Sequence, residues 1–279
     1  YAIYGLAFSP DGRLLATAGY GTIIWDVATG QRLLKVSEGL SSAIAFSPDG
    51  RTLAEAIPPV FGPGETDVWR LDFGRGIQTL RGLTAPIYCI AWSPDGVLIA
   101  GLSHRWEVGI WNTTTGALTH VLAAPRGYYA DNAGLAFSAD GRQFACVTGR
   151  EAKLWDVASG EQVQSWPVPP GLMDRIAFDR EGKFLAFRVE SESGKTITSE
   201  TRDLVVHVRD LLGADPLNPL VTVRDFSHNI VDVAISPNGS YFVVEGDAGP
   251  DGKERRISSF DAMSGKSLLF TACTPSLPS

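Results

Sequence analysis

LAFSPDG at Leu6–Gly12 returns as IAFSPDG at Ile44–Gly50, IAWSPDG at Ile90–Gly96, LAFSADG at Leu135–Gly141, IAFDREG at Ile176–Gly182 and VAISPNG at Val233–Gly239. The closing glycines stand 38, 46, 45, 41 and 57 residues apart. One unit is therefore repeated along the whole 279-residue chain, and the fold is read from that unit.

Within each unit the apolar run ahead of the turn reads as a short strand. In Ser-Pro-Asp-Gly the serine can bond nearby backbone, the proline presets φ at the second position and the glycine accepts a positive φ at the end. A second apolar strand follows, as at Leu14–Thr17 and Phe144–Val147, and a third ends in Trp25-Asp26 or Trp155-Asp156. A second tight turn, Ala28-Thr29-Gly30 or Ala158-Ser159-Gly160, leads into a more polar fourth strand such as Gln31–Leu34. Strand-like runs punctuated this regularly predict an antiparallel meander, and no helical period is sustained anywhere.

A lone four-stranded sheet cannot hide both faces, whereas sheets stacked around an axis can. Each first strand carries a small residue (Ala7, Ala45, Ala91, Ala136, Ala177, Ala234), which suits crowding near such an axis. The expectation is all-β: a β-propeller of six four-stranded antiparallel blades forming a single domain. The repeats fall at 1–39, 40–83, 84–130, 131–170, 171–228 and 229–273, with a tail at 274–279. The alternative is part of a seven-bladed ring with one blade missing. The chain opens on Tyr1 inside a strand-like segment, from which a module of a longer polypeptide is expected.

The Ser-Pro-Asp-Gly turn, the Trp-Asp pair and the Thr-Gly turn at this period resemble the WD-repeat β-propeller family over essentially the whole chain. The resemblance implies that Trp25, Trp69, Trp111 and Trp155 pack between neighbouring blades, with Arg209 and Phe260 in that slot in repeats five and six. The next position is Asp26, Asp156, Asp210 and Asp261, but Asn112 and Arg70 in repeats three and two. The family's Gly-His pair gives way to Gly39-Leu40, Gly82-Leu83 and Gly171-Leu172, and only Ser227-His228 keeps the histidine. The side-chain hydrogen-bond network built on that histidine is therefore expected to be missing from at least five repeats.

Composition excludes several other classes. With 44% hydrophobic residues the chain has ample material for a core. A net charge of -7 argues against a nucleic-acid partner, which needs a basic face. No apolar run is long enough to span a membrane as a helix. Cys89, Cys146 and Cys273 are too far apart in sequence for a zinc motif or a disulfide framework and read as buried small hydrophobes, which points to a reducing, cytoplasmic setting.

Ser193-Gly194-Lys195-Thr196 resembles the tail of a phosphate loop, but Val189 stands where the motif needs glycine and no helix follows. The acidic stretch Asp247–Glu254 lacks the ligand spacing of a calcium hand. His104, His120, His207 and His228 lie in different repeats without a catalytic context. No catalytic, cofactor or metal residues are assigned.

The two turns at one end of each unit are nearly uniform, while the loops at the other end differ widely. Gly19-Tyr20-Gly21, residues 58–65, Ser103–Glu107, residues 191–203 and Gly246–Arg255 correspond to one another. Loops on a rigid scaffold carry specificity, so the binding face is expected at this variable end. Aligned first strands bring Tyr4, Tyr88, Asp174, Arg175 and Asp232 to the channel mouth, with Arg105, Trp106, Tyr128, Tyr129 and Asp131 nearby. Tyr, Trp and Arg dominate interface hot spots. The expected function is a non-catalytic scaffold, monomeric within a larger protein, that binds a protein or peptide on this face. The alternatives are a propeller hydrolase or lyase with its site at the channel mouth, and a purely structural spacer.

Overall fold

The computed structural model describes residues 5–57, 65–70, 75–126, 133–148, 151–167, 176–178, 184–190, 204–210, 221–226, 230–235, 240–248 and 254–273. These residues form six antiparallel sheets in which strand order follows chain order, and no helix occurs among them. Sheet 1 holds β1 (Gly5–Phe8), β2 (Leu14–Asp26) and β3 (Arg32–Leu40); sheet 2 holds β4 (Ala43–Phe46), β5 (Thr52–Ile57), β6 (Glu65–Arg70) and β7 (Arg75–Leu80). Sheet 3 holds β8 (Ile87–Trp92), β9 (Leu98–Ser103), β10 (Glu107–Asn112) and β11 (Leu118–Ala123). Sheet 4 holds β12 (Gly134–Phe137), β13 (Gln143–Thr148), β14 (Glu151–Asp156) and β15 (Gln162–Pro167). Sheet 5 holds β16 (Ile176–Phe178), β17 (Phe184–Glu190), β18 (Leu204–Asp210) and β19 (Val221–Phe226). Sheet 6 holds β20 (Ile230–Ile235), β21 (Tyr241–Ala248), β22 (Glu254–Asp261) and β23 (Ser267–Cys273). These are sheets of the β-propeller blade type.

Sheet 1 counts three strands where four are expected, because β2 is continuous through its bend. The Val27 N–H donates to the carbonyl of Arg13 at 2.9 Å, and the Trp25 indole donates to Thr17 Oγ1 at 3.0 Å. A strand rises about 3.3 Å per residue, so 13 extended residues could not bring those ends together. β2 thus doubles back at Gly19-Tyr20-Gly21 and supplies both inner strands of a blade. The loop expected at Gly246–Arg255 is shorter than the sequence suggests. Register continues through Gly246↔Arg256, Asp247↔Arg255 and Ala248↔Glu254.

The repeated turn has a specific bonding pattern. Ser9, Ser47, Ser93 and Ser138 each donate a hydroxyl to the aspartate two residues on at 2.6 Å. Each hydroxyl also accepts a backbone N–H five residues on, at 2.8–3.0 Å. The serine hydroxyl, first among several bonds, holds Asp11, Asp49 and Asp95 below the usual carboxylate range. The glycines closing these turns take φ of 70–72°, where any other residue is strained.

The second turn explains the residue after tryptophan. Asp26, Asn112 and Asp261 each accept, on Oδ1, the backbone N–H of Thr29, Thr115 or Ser264 at 2.7–2.9 Å. Asparagine offers the same oxygen, so the turn of repeat three keeps this bond.

Two compact units divide the chain, the first taking in sheets 1–3 and the second sheets 4–6, with the Ala158–Gly160 turn grouped with the first. In the first unit β1, β4 and β8 lie side by side. Leu53, Ile44 and Phe46 of sheet 2 pack on Ala16, Ala18 and Ile24 of sheet 1. The other face of sheet 2 places Ala54 and Ala56 against Ile87, Ile99 and Trp111 of sheet 3, with Leu80 and Leu83 in the same cluster. Trp111 is wholly buried and donates its indole N–H to the carbonyl of Arg81 at 2.8 Å. This bears out the inter-sheet role expected for that residue. Trp25 is only half-buried, and the side chain of Trp69 lies outside the described residues. Leu83, standing where the family has histidine, is buried in the same cluster, so packing replaces a side-chain bond there. In the second unit β12, β16 and β20 are neighbours, Phe144 packs on Trp155 at 5.9 Å, and Phe242 stacks on Phe260 at 5.2 Å. Cys146 is buried as expected, whereas Cys89 is only half-buried.

The indole of Trp111 lies over two strand glycines, Gly101 and Gly109, and a Cβ on Gly109 would overlap the ring. Trp111→Ala is expected to lower the unfolding free energy by about 3–5 kcal/mol. Gly109→Ala should displace the ring and destabilise markedly, while Trp25→Ala costs less than Trp111→Ala. Urea denaturation of the three variants checks this order, and equal losses at Trp25 and Trp111 would refute it.

Candidate functional site

Three of the residues singled out at the variable end are described with their side chains: Tyr88 on β8, and Arg105 and Trp106 in the β9–β10 turn. They come together at one end of sheet 3. Asp232 lies on β20 with its side chain outside the described residues. Tyr4, Tyr128, Tyr129, Asp131, Asp174 and Arg175 fall outside them altogether.

The turn is built on Ser103, which is buried. Its carbonyl accepts the Trp106 N–H at 3.0 Å, and its hydroxyl accepts the N–H groups of Arg105 and Glu107 at 3.3 and 3.4 Å. The turn is also tied to both flanking segments. The His104 N–H donates to the carbonyl of Pro86 at 3.0 Å, and the Ala124 N–H to that of Trp106 at 2.9 Å. Trp106 sits at φ 62°, the one positive-φ non-glycine among the described residues. A bulky side chain in that region costs about 1–2 kcal/mol.

Tyr88 owes its placement to an irregularity. The β8–β9 register shifts between Ile87 and Cys89, leaving Tyr88 as the extra residue. Its ring meets that of His104 with centroids 4.9 Å apart, tilted by 48°. Arg105 is exposed and anchors Nη1 on Thr84 Oγ1 at 3.0 Å. Among the described residues no carboxylate lies within ion-pairing distance of its guanidinium. Glu107 follows at the base of the turn, half-buried. The result is a held turn presenting a half-buried indole, a guanidinium and an imidazole that rests on a phenol. Such a surface can stack on flat groups and bind anionic ones.

Sequence reasoning named Tyr88, Arg105 and Trp106 but treated His104 only as a dispersed histidine and missed Thr84. The available signal for His104 was its place beside Arg105 in the same short loop. Among the described residues no group of three or more His, Cys, Asp or Glu is placed to hold a metal ion. At the uniform end, a cavity of about 160 Å³ lies between sheets 2 and 3, lined by Ser47, Asp49, Thr52, Trp92, Asp95, Gly96 and Thr113.

Residues 1–26 and 74–112 match the family described as "WD domain, G-beta repeat". Apoptotic protease-activating factor 1 of Rattus norvegicus is 28% identical over 169 residues, covering 56% of this chain and 13% of that protein. Protein tipD of Dictyostelium discoideum is 24% identical over 276 residues, covering 95% of this chain and 40% of that protein. Eukaryotic translation initiation factor 3 subunit I of Aspergillus terreus is 27% identical over 197 residues, covering 68% of this chain and 55% of that protein. The matches thus span between about an eighth and about a half of these relatives.

Because a β-branched residue tolerates positive φ worst and glycine best, Trp106→Gly is expected to stay within about 1 kcal/mol of the parent in stability. Trp106→Val should be clearly less stable than Trp106→Gly. Thermal or urea unfolding that ranks the two the other way would show that the indole is held there by packing.

Proposed function

Since this chain belongs to the WD-repeat family, we propose that it is a non-catalytic interaction platform whose six repeats act as one module. On this reading it docks a protein or peptide partner through the variable-loop end of sheet 3. The observation that carries the proposal is the cluster of Tyr88 on β8 with His104, Arg105 and Trp106 on a turn stitched to both neighbouring segments. Rigid aromatic and guanidinium groups bind at little cost in conformational entropy. The residue types here are those that dominate interface energetics.

The partner should present a carboxylate to the guanidinium of Arg105 and an apolar or flat side chain to the indole of Trp106. Arg105 has no described acidic neighbour to neutralise it, in a chain whose net charge is -7. That combination makes the turn a local exception to the acidic surface. The relatives are longer polypeptides, which supports a module acting within a larger protein.

A partner identified by crosslinking and confirmed with purified components provides the test. Arg105→Ala and Trp106→Ala should each weaken binding about tenfold or more. Arg13→Ala, at the uniform end, should leave it unchanged. The Arg105 effect should shrink as salt rises, because ionic attraction between exposed groups is screened. Unchanged affinity in both site variants would remove this face from the binding surface.

A further inference from the structure

Sheets 1 and 2 meet through a polar seam that nothing in the binding face uses. Glu55 stands mid-strand on β5, in register with Ile44 of β4 on one side and Asp67 of β6 on the other. It is wholly buried beside the apolar cluster of Leu53, Ile44 and Ala18. From sheet 1, Thr22 and Ser37 donate their hydroxyls to Glu55 Oε1 at 2.8 and 2.6 Å. The Thr22 N–H in turn donates to Ser37 Oγ at 3.3 Å. The β2–β3 register shifts on both sides of Thr22, which is how its side chain is aimed across the seam.

Two carboxyl oxygens remain. Glu55 Oε2 and Asp67 Oδ1 are both buried, and neither makes a hydrogen bond, the nearby Ser41 hydroxyl turning instead to the carbonyls of Ala43 and Ala56 at 3.5 Å. Side chains directly opposite on antiparallel strands have Cβ atoms about 4.5–5.5 Å apart, so these two carboxyl groups are within mutual reach. Two ionised carboxylates crowded in a buried site repel strongly, whereas one proton between them satisfies both oxygens. We propose that Glu55 and Asp67 share a single proton, Oε2–H of Glu55 donating to Asp67 Oδ1, and that this acid pair latches sheet 1 to sheet 2.

The surroundings agree with a proton held on Glu55. Burial pushes its carboxyl above the ordinary range, and the negative charge of Asp67 adds to that, while the Ser37, Thr22 and Ser41 hydroxyls oppose it. On β3 the nearest charged groups are Lys35 and Glu38, which bond each other at 2.9 Å at the surface. β2 offers Thr22, β4 offers Ile44, and the link between β3 and β4 offers the uncharged Ser41 hydroxyl. Among the described side chains Asp67 is therefore the one titratable group that faces Glu55. A bound cation fits less well, because calcium takes about 6–8 oxygen ligands and two of the nearby hydroxyls already point their hydrogens at Oε1.

An acid that holds its proton in the folded chain and loses it on unfolding stabilises most below the unfolded value. That contribution is lost as pH rises through the folded value. The folding equilibrium of the whole chain and of Glu55→Gln, measured by urea denaturation from about pH 5 to about pH 9, should therefore diverge. The parent should lose up to about tenfold more per pH unit than the variant, and the two should be close in the acid part of the range. The infrared spectrum of the parent chain at neutral pH should show the carbonyl stretch of a protonated carboxylic acid, absent from Glu55→Gln. Parallel pH profiles would overturn the proposal, as would absence of that band, which needs only the parent chain. One tightly bound cation per chain by metal analysis, lost in Asp67→Asn, would replace the proton with a metal.

Discussion

A sheet four strands wide has two faces to keep from water, and covering both constrains everything else in this chain. Sheet 2 shows the two ways it is done. Toward sheet 3 it offers Ala54 and Ala56, small enough for the indole of Trp111 to enter the gap. Toward sheet 1 it offers Leu53 and Ile44 with a carboxyl group among them. The dry seam gains from apolar burial and dispersion, and it tolerates sliding poorly because one large ring fills it. The polar seam gains direction, because two hydroxyls must reach one carboxyl oxygen.

Much of this was legible in the sequence, for a physical reason. The turn residues have conformational requirements that few other residues meet, so Ser-Pro-Asp-Gly announces the same backbone wherever it stands. The four described copies agree in glycine φ to within a few degrees. The aspartate was legible as a turn residue but not as the acceptor of the serine hydroxyl, since that contact depends on rotamers. Strand ends were less secure. β2 runs through Gly19-Tyr20-Gly21 and β21–β22 extends into Gly246–Arg255 because backbone pairing tolerates glycine and charge where the opposite strand supplies a partner. Cys89 is half-buried and not core because the whole of β8 after Ile87, on both of its faces, is only partly covered.

The site divides in the same manner. The residue types at Arg105, Trp106 and Tyr88 were readable, since a large ring and a cation in a short loop lack an obvious packing role. Their arrangement was not. A one-residue register shift sends every following side chain to the opposite face, and nothing in IYCIAW marks where β8 slips. The left-handed backbone at Trp106 was equally hidden, because glycine or asparagine would be the ordinary choice there. Glu55 was passed over altogether. One acidic residue in an apolar strand reads as an edge or a solvent-facing position, and its hydroxyl partners Thr22 and Ser37 come from a different repeat.

The uniform and variable ends of each unit follow from where the backbone is already committed. At the uniform end the serine hydroxyl, the aspartate and the glycine φ satisfy one another, and a change to any one leaves the others strained or unpaired. At the opposite end only the two strand termini must be joined, and loop closure becomes costlier only slowly with added length. Sequence there is free to diverge so long as the turn remains anchored. In sheet 3 that anchoring comes chiefly from backbone bonds to Pro86 and Ala124, with one side-chain bond from Arg105 to Thr84. The backbone bonds use no side-chain atom, so the fold leaves the identity of the residues that face solvent on this turn unfixed.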